Sequence, residues 1–287
     1  MKIARFSLLL GFSLVLAPLA LADSAVLYNN IPSPLPGNIV SIGYEAAGAG
    51  EFGGLIQFAG SSSSYSLTSA TVVMSDWTYA SQWTSAMNGT TITSSGFYLP
   101  VTLTLYSVGD NGTVGSVIAT ETLDNAFIPW RPEHSAGCGG AAWMASNGVC
   151  YNGSLSTLTF NLSGLTVPDQ IIYGLSYNTT NYGADPTHVA GPYESLNFGL
   201  SSSAPTVGSN PLPNTAYWET VNAGNYFDGG AGGTGTFRQD SGWSPYSGAI
   251  EFEGPAATPE PSSWMLFGTG LLGLAVISLR RSRLFQS

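Results

Sequence analysis

The chain has 287 residues, of which 17 are acidic and 7 basic, for a formal net charge of −10; only 8% are charged and 12% are aromatic. Five of the basic residues lie at the ends (Lys2, Arg5, Arg280, Arg281, Arg283), so residues 23–254 carry 16 acidic and 2 basic groups, a formal charge of −14. Such a surface excludes nucleic acid and anionic lipid as natural partners, since both need Lys and Arg against phosphate, and the aromatic content excludes general disorder.

In chain order, Met1-Lys2-Ile3-Ala4-Arg5 is a short basic start, Phe6 to Leu16 is apolar, and Ala20-Leu21-Ala22 is a small-x-small cleavage site. Residues 1–22 therefore read as a signal peptide cut after Ala22, with Ala20 and Ala22 setting the site and Asp23 opening the mature chain.

Ten short alternating or β-branched runs follow, separated by Gly, Ser, Asn and Pro: Asn38–Tyr44, Gly54–Ala59, Leu67–Met74, Leu99–Val108, Ser116–Leu123, Leu155–Leu162, Gln170–Asn178, Ser195–Leu200, Ala216–Val221 and Ala249–Glu253. Val101, Leu103 and Leu105 alternate with Thr102, Thr104 and Tyr106, and Leu158, Phe160 and Leu162 with Thr159 and Asn161, the period-2 pattern of half-buried strands. Asp110-Asn111-Gly112 predicts a hairpin between the fourth and fifth runs. No 3.6-residue periodicity and no fixed repeat is present. The expectation is an all-β fold over residues 23–254: a single β-sandwich, jelly-roll-like, with a barrel as the alternative closure.

Long connections at residues 126–153, 179–194 and 222–247 concentrate Trp, Gly and Pro, and connections of that length are usually functional or mobile. Cys138 and Cys150, the only cysteines, are expected to form a disulfide across the first of them, since an isolated pair outside the cytoplasm is most simply bonded. A metal pair with His134 and a nucleophilic thiol are the alternatives. His134 and His188 are the only histidines and no G-x-S-x-G is present, so no catalytic residue is assigned. Glu251 and Glu253, two apart, would share a strand face and are one source of paired carboxylates for glycan hydrolysis. Asp228 and Asp240 flank a Gly-rich loop that could hold Ca²⁺, the only cofactor considered. Trp130 and Trp243, both in long connections, are the candidate platforms for stacking on sugar rings. Five N-x-S/T triplets reflect an Asn-, Ser- and Thr-rich composition.

Residues 255–261 form a Pro/Ala linker ending in Pro259-Glu260-Pro261. Ser262 to Leu279 is an 18-residue stretch without charge, long enough at about 1.5 Å per residue to cross a membrane as a helix. Arg280, Arg281 and Arg283 follow it, and the positive-inside rule keeps them cytoplasmic in a basic tail over residues 280–287. The order of Pro-Glu-Pro, a Gly-rich apolar run and an Arg cluster resembles the PEP-CTERM sorting tail of bacterial exported proteins. The resemblance covers about 30 residues. It implies recognition and processing by an exosortase, a membrane-embedded cysteine protease, with Pro259, Glu260 and Pro261 at the motif positions.

The expected protein is thus exported, held transiently in the inner membrane by its tail, and released to the cell surface or extracellular matrix. Its body is expected to be a structural or adhesive module, with exopolysaccharide as its partner. The alternative is a secreted glycan-acting hydrolase using loop carboxylates.

Overall fold

The structure is a computed structural model that describes residues 24–47, 49–82, 91–177, 195–220 and 236–256. The expected signal peptide with Ala20 and Ala22, the sorting residues Pro259, Glu260, Pro261, Arg280, Arg281 and Arg283, the membrane span, and Asp228 and His188 lie outside the described residues. One compact unit spans Ser24–Pro255.

Its strands are β1 (Ser24–Asn29), β2 (Ser41–Gly43), β3 (Ala49–Gln57) and β4 (Ser64–Asp76). Next come β5 (Thr91–Ile92), β6 (Gly96–Val108), β7 (Val114–Pro129), β8 (Trp143–Met144) and β9 (Cys150–Tyr151). The last are β10 (Ser154–Pro168), β11 (Gln170–Tyr177), β12 (Leu196–Ser201), β13 (Thr215–Thr220), β14 (Arg238–Ser241), β15 (Ser247–Gly248) and β16 (Ile250–Pro255). Each of the ten predicted runs overlaps one of these. The fold is all-β, and its pairings are antiparallel.

Fourteen of the strands form two seven-stranded sheets, neither closed on itself. Sheet A runs β1-β16-β4-β12-β15, with β10 on the other edge of β4 and β2 beside β12; sheet B runs β14-β13-β3-β11-β6-β5, with β7 beside β6. A folded two-stranded ribbon joins them. β3 pairs with β11 in sheet B, β4 pairs with β10 in sheet A, and the ribbon turns between sheets where Phe58 N–H donates to the Asp169 carbonyl at 3.0 Å.

One core cluster draws on both sheets, with Phe52, Val101, Leu103 and Leu175 from sheet B and Val72, Phe160, Phe198 and Phe252 from sheet A. The alternation read from the sequence is what fills it: Leu158, Phe160 and Leu162 are buried while Thr157, Thr159 and Asn161 face out. Tyrosine hydroxyls cross between the sheets, because a buried phenol needs an acceptor. Tyr173 on β11 donates to the Gly248 carbonyl at 3.1 Å, and Tyr177 to that of Leu196. A smaller cluster of Leu55, Ile172 and Tyr217, with Tyr106 and Phe237 against it, covers part of the other face of sheet B. This is why β3 is buried along nearly its whole length instead of alternating.

The β6–β7 hairpin turns at Asp110–Gly112 as expected, with Asn111 at φ 57° and Gly112 at φ 79°. These left-handed values suit Asn and Gly. Strand β1, which no predicted run covers, pairs with β16 from Ser24↔Pro255 to Asn29↔Glu251, so the two ends of the unit lie side by side.

Strand β16 places Ile250 and Phe252, both wholly buried, between β1 and β4. A chain ending after Ala256 should melt within about 2 °C of the longer one. A chain ending after Gly248 loses Ala249 and the two large core side chains Ile250 and Phe252, the latter each worth about 3 kcal/mol or more, and should be unfolded. Circular dichroism melts of the two truncations check this.

Candidate functional site

The connection between β7 and β10 builds the most distinctive surface of the unit. Cys138 and Cys150 are joined by a disulfide with Cα atoms 5.7 Å apart. Among the described residues, no three His, Cys, Asp or Glu side chains are grouped to hold a metal. His134 lies on the surface with Nδ1 3.1 Å from the Ala142 carbonyl.

The disulfide closes a small hairpin in which β8 pairs with β9, Trp143 opposite Tyr151 and Met144 opposite Cys150. Arg131, one of the two cations of the body, clamps its base. The guanidinium donates through one nitrogen to the Asn152 carbonyl and through the other to the Ala141 carbonyl at 3.0 Å, so both legs of the hairpin end on one side chain. Its carbon sits 4.5 Å from the centre of the Tyr79 ring, and its backbone N–H donates to Asp76 at 3.2 Å. Arg131 is 4% exposed. Burial lowers its pKa, and Tyr79 and Asp76 oppose that shift; a guanidinium nonetheless stays charged in any accessible pH range.

Above this base lies a group of partly exposed rings. Trp77 is 40% exposed, and its indole N–H donates to Ser75 Oγ at 3.0 Å, which in turn donates to the Asn38 side-chain oxygen at 2.7 Å. Trp143 donates to the Gly153 carbonyl at 2.7 Å and lies 5.9 Å from the Tyr151 ring. A side chain at Gly153 would come within 2.7 Å of the Trp77 indole nitrogen and 2.6 Å of the Asn38 amide, so only glycine lets the hairpin backbone lie against them.

The two tryptophans expected to stack on sugars are placed differently. Trp130 is half-buried, 5.0 Å from Phe97, and donates to the Thr93 carbonyl; Trp243 is half-buried, 5.0 Å from Phe52 and 5.2 Å from Trp218, and donates to Asp240 at 2.8 Å. Both have ring surface turned to core aromatics, where a large ring lowers the free energy most. Trp77 is the tryptophan that the described residues leave most open.

The carboxylates also rearrange. Glu251 and Glu253 do share a face, on a strand inside sheet A, where Asn29 donates to Glu251 and Ser69 to Glu253 at 2.9 Å. Burial, then Glu253, pushes Glu251 up. Asp240 is engaged by Trp243. A pair absent from the sequence reading lies on sheet B: Glu51 of β3 is directly across from Glu219 of β13. Glu51 is 8% exposed and takes the Tyr106 hydroxyl at 2.9 and 3.1 Å on its two oxygens. Gly174 leaves the space it fills, since a Cβ there would meet the carboxylate oxygen at 1.9 Å. Burial raises its pKa to about 7; the Tyr106 hydrogen bond opposes the shift and Glu219 adds to it. Elsewhere, a groove of about 400 Å³ between Ser202, Pro205, Asn210, Pro213 and Pro245 has no charged residue in its lining.

At the end of the chain, residues 257–282 match a family model described as the PEP-CTERM protein-sorting motif. The tail is a PEP-CTERM sorting motif. The PEP-CTERM segment begins two residues beyond Pro255, where β16 ends. It marks an exported, surface-directed protein handled by an exosortase-type system. No curated protein and no solved structure matches the chain. Among the described residues no helix is long and apolar enough to cross a membrane.

Glu51 gives a pH dependence with a definite sign. Its pKa is raised from 4.5 to about 7 in the folded state, so between those values the native chain holds a proton that the unfolded chain has released. Stability therefore falls as pH rises through that window, by up to about 3 kcal/mol. The Glu51→Gln variant keeps a partner for Tyr106 and should melt at nearly the same temperature at pH 5 and pH 8, whereas the parent should melt lower at pH 8. Thermal unfolding across that range checks it.

Proposed function

We propose that the protein is made with a cleaved signal peptide and is held in the inner membrane by the apolar part of its PEP-CTERM tail. After processing, its body acts at the surface or in the extracellular matrix as a structural or adhesive module in contact with exopolysaccharide. The observation that carries this reading is the sorting motif at residues 257–282, joined directly to the last core strand. We read the two open sheets with their shared core as a jelly-roll-like sandwich, the folded ribbon being its spine. Three features of the body support a place outside the cell. It is acidic, with a formal charge of −14; its one pair of cysteines is bonded; and its outward faces carry hydroxyl ladders such as Thr71–Thr159 and Thr102–Thr122, each at 2.9 Å.

Mass spectrometry of the protein recovered from its native host should find an N-terminus at Asp23 and a C-terminus within the tail. Deleting residues 257–287 should leave the body out of the surface fraction, and replacing Arg280, Arg281 and Arg283 with Gln should leave the tail unprocessed. Recovery of the intact chain from the cytosol would end this reading.

The second reading, a glycan-acting hydrolase, is favoured by the Glu51–Glu219 pair. One carboxyl that keeps its proton near neutral pH beside a second carboxyl is the division of roles glycoside hydrolysis uses. Reducing-sugar release from the host's exopolysaccharide, abolished by Glu51→Gln, would establish it. No release from that substrate by the parent chain would set it aside.

A further inference from the structure

The geometry points to the disulfide hairpin and the adjoining end of β4 as a binding platform for an uncharged polysaccharide chain, with Trp77, Trp143 and Tyr151 as its stacking surfaces. This rests on the proposed contact with polysaccharide and assigns it to residues the sequence did not single out.

Four observations carry it. First, the rings are partly exposed and fixed. Trp77 is 40% exposed while its indole N–H is tied to Ser75, Trp143 is tied to the Gly153 carbonyl, and Tyr151 packs against Gly37. Rings already ordered lose little freedom when a ligand stacks on them, which is the usual benefit of a rigid aromatic anchor. Second, the base is fixed as well: the disulfide and the Arg131 clamp hold both legs of the hairpin.

Third, polar groups are interleaved with the rings. Asn38 adjoins Trp77 across the buried Ser75 hydroxyl, and the exposed Asn147 amide lies 3.4 Å from the Tyr151 hydroxyl. Alternating ring faces with amides and hydroxyls suits a sugar, which offers C–H faces and hydroxyl edges together. A hydrophobic protein helix would offer no partner to the remaining donors and acceptors of Asn38, Asn147 and Tyr151. Fourth, the charge selects the class of glycan. Of the two cations in the body, Arg131 is buried beneath the platform and Arg238 lies on β14, an edge strand of sheet B. With a formal charge of −14 around it, a uronate- or sulfate-bearing chain finds no counter-charge at these rings and is repelled by the body.

The test is affinity electrophoresis of the full chain in gels containing a neutral β-glucan, a neutral α-glucan or alginate, with Trp77→Ala, Tyr151→Ala and Gly153→Ala beside the parent. The parent should be retarded by a neutral glucan and not by alginate. Trp77→Ala should weaken that retardation by about tenfold, the scale of losing one aromatic anchor, with an unchanged melting temperature because its ring lies outside the core. Gly153→Ala should weaken it by pushing the hairpin away from Trp77. Retardation kept in both Trp77→Ala and Tyr151→Ala would discard the platform while leaving polysaccharide contact in place. Stronger retardation by alginate would overturn the ligand class. A parent chain retarded by none of the three would remove the polysaccharide contact itself, and the platform with it.

Discussion

The β3–β4 and β10–β11 links cross from one sheet to the other as a single antiparallel ribbon, hydrogen-bonded to each other at Phe58 and Asp169. The rest of the body depends on that corner. A strand crossing alone would leave its backbone groups unpaired in the bend, at a cost comparable to a lost hydrogen bond for each. Crossing as a pair lets β3–β4 and β10–β11 satisfy one another throughout. Once the ribbon is folded, each sheet has a central template. β16 and β12 add to the free edge of β4, β6 adds to β11, β13 to β3, and the inner faces meet in one core.

Charge is used sparingly within this frame. A body with two cations devotes one, Arg131, wholly to its interior, where the guanidinium gathers two carbonyls, an aromatic face and the neighbourhood of Asp76. Arginine suits the position because its planar fork presents several donors in fixed directions. Glu51 is the opposite case. Burial raises its pKa and the Tyr106 hydroxyl opposes that shift, desolvation being the larger effect. Both are buried polar groups stabilised by neighbours distant in sequence.

The sorting motif and the folded unit occupy separate stretches of the chain. The core ends at β16, and the PEP-CTERM motif starts two residues later. The prolines at 259 and 261 lack the backbone N–H that a sheet or a helix interior would use. The β1–β16 pairing that holds the ends of the body together lies wholly before the motif in the chain.

What the residues determined by themselves was local. Alternating or β-branched runs marked ten strands, Asp110-Asn111-Gly112 marked a hairpin, and Pro-Glu-Pro, apolar run and arginines marked the tail, because each is read over a few contiguous residues. Only the tertiary structure decided which partners met. Strand β1 is short and becomes a strand by lying along β16; Glu51 meets Glu219 because β13 returns to β3; and β3, covered on both faces, lost the alternation that would have revealed its first half, Glu51 included. The tryptophans make the same point. Composition placed Trp130 and Trp243 in long connections, yet the direction a ring takes depends on whether core aromatics such as Phe97 and Phe52 lie within reach. That is a property of packing between segments far apart in the chain, which no stretch of sequence contains.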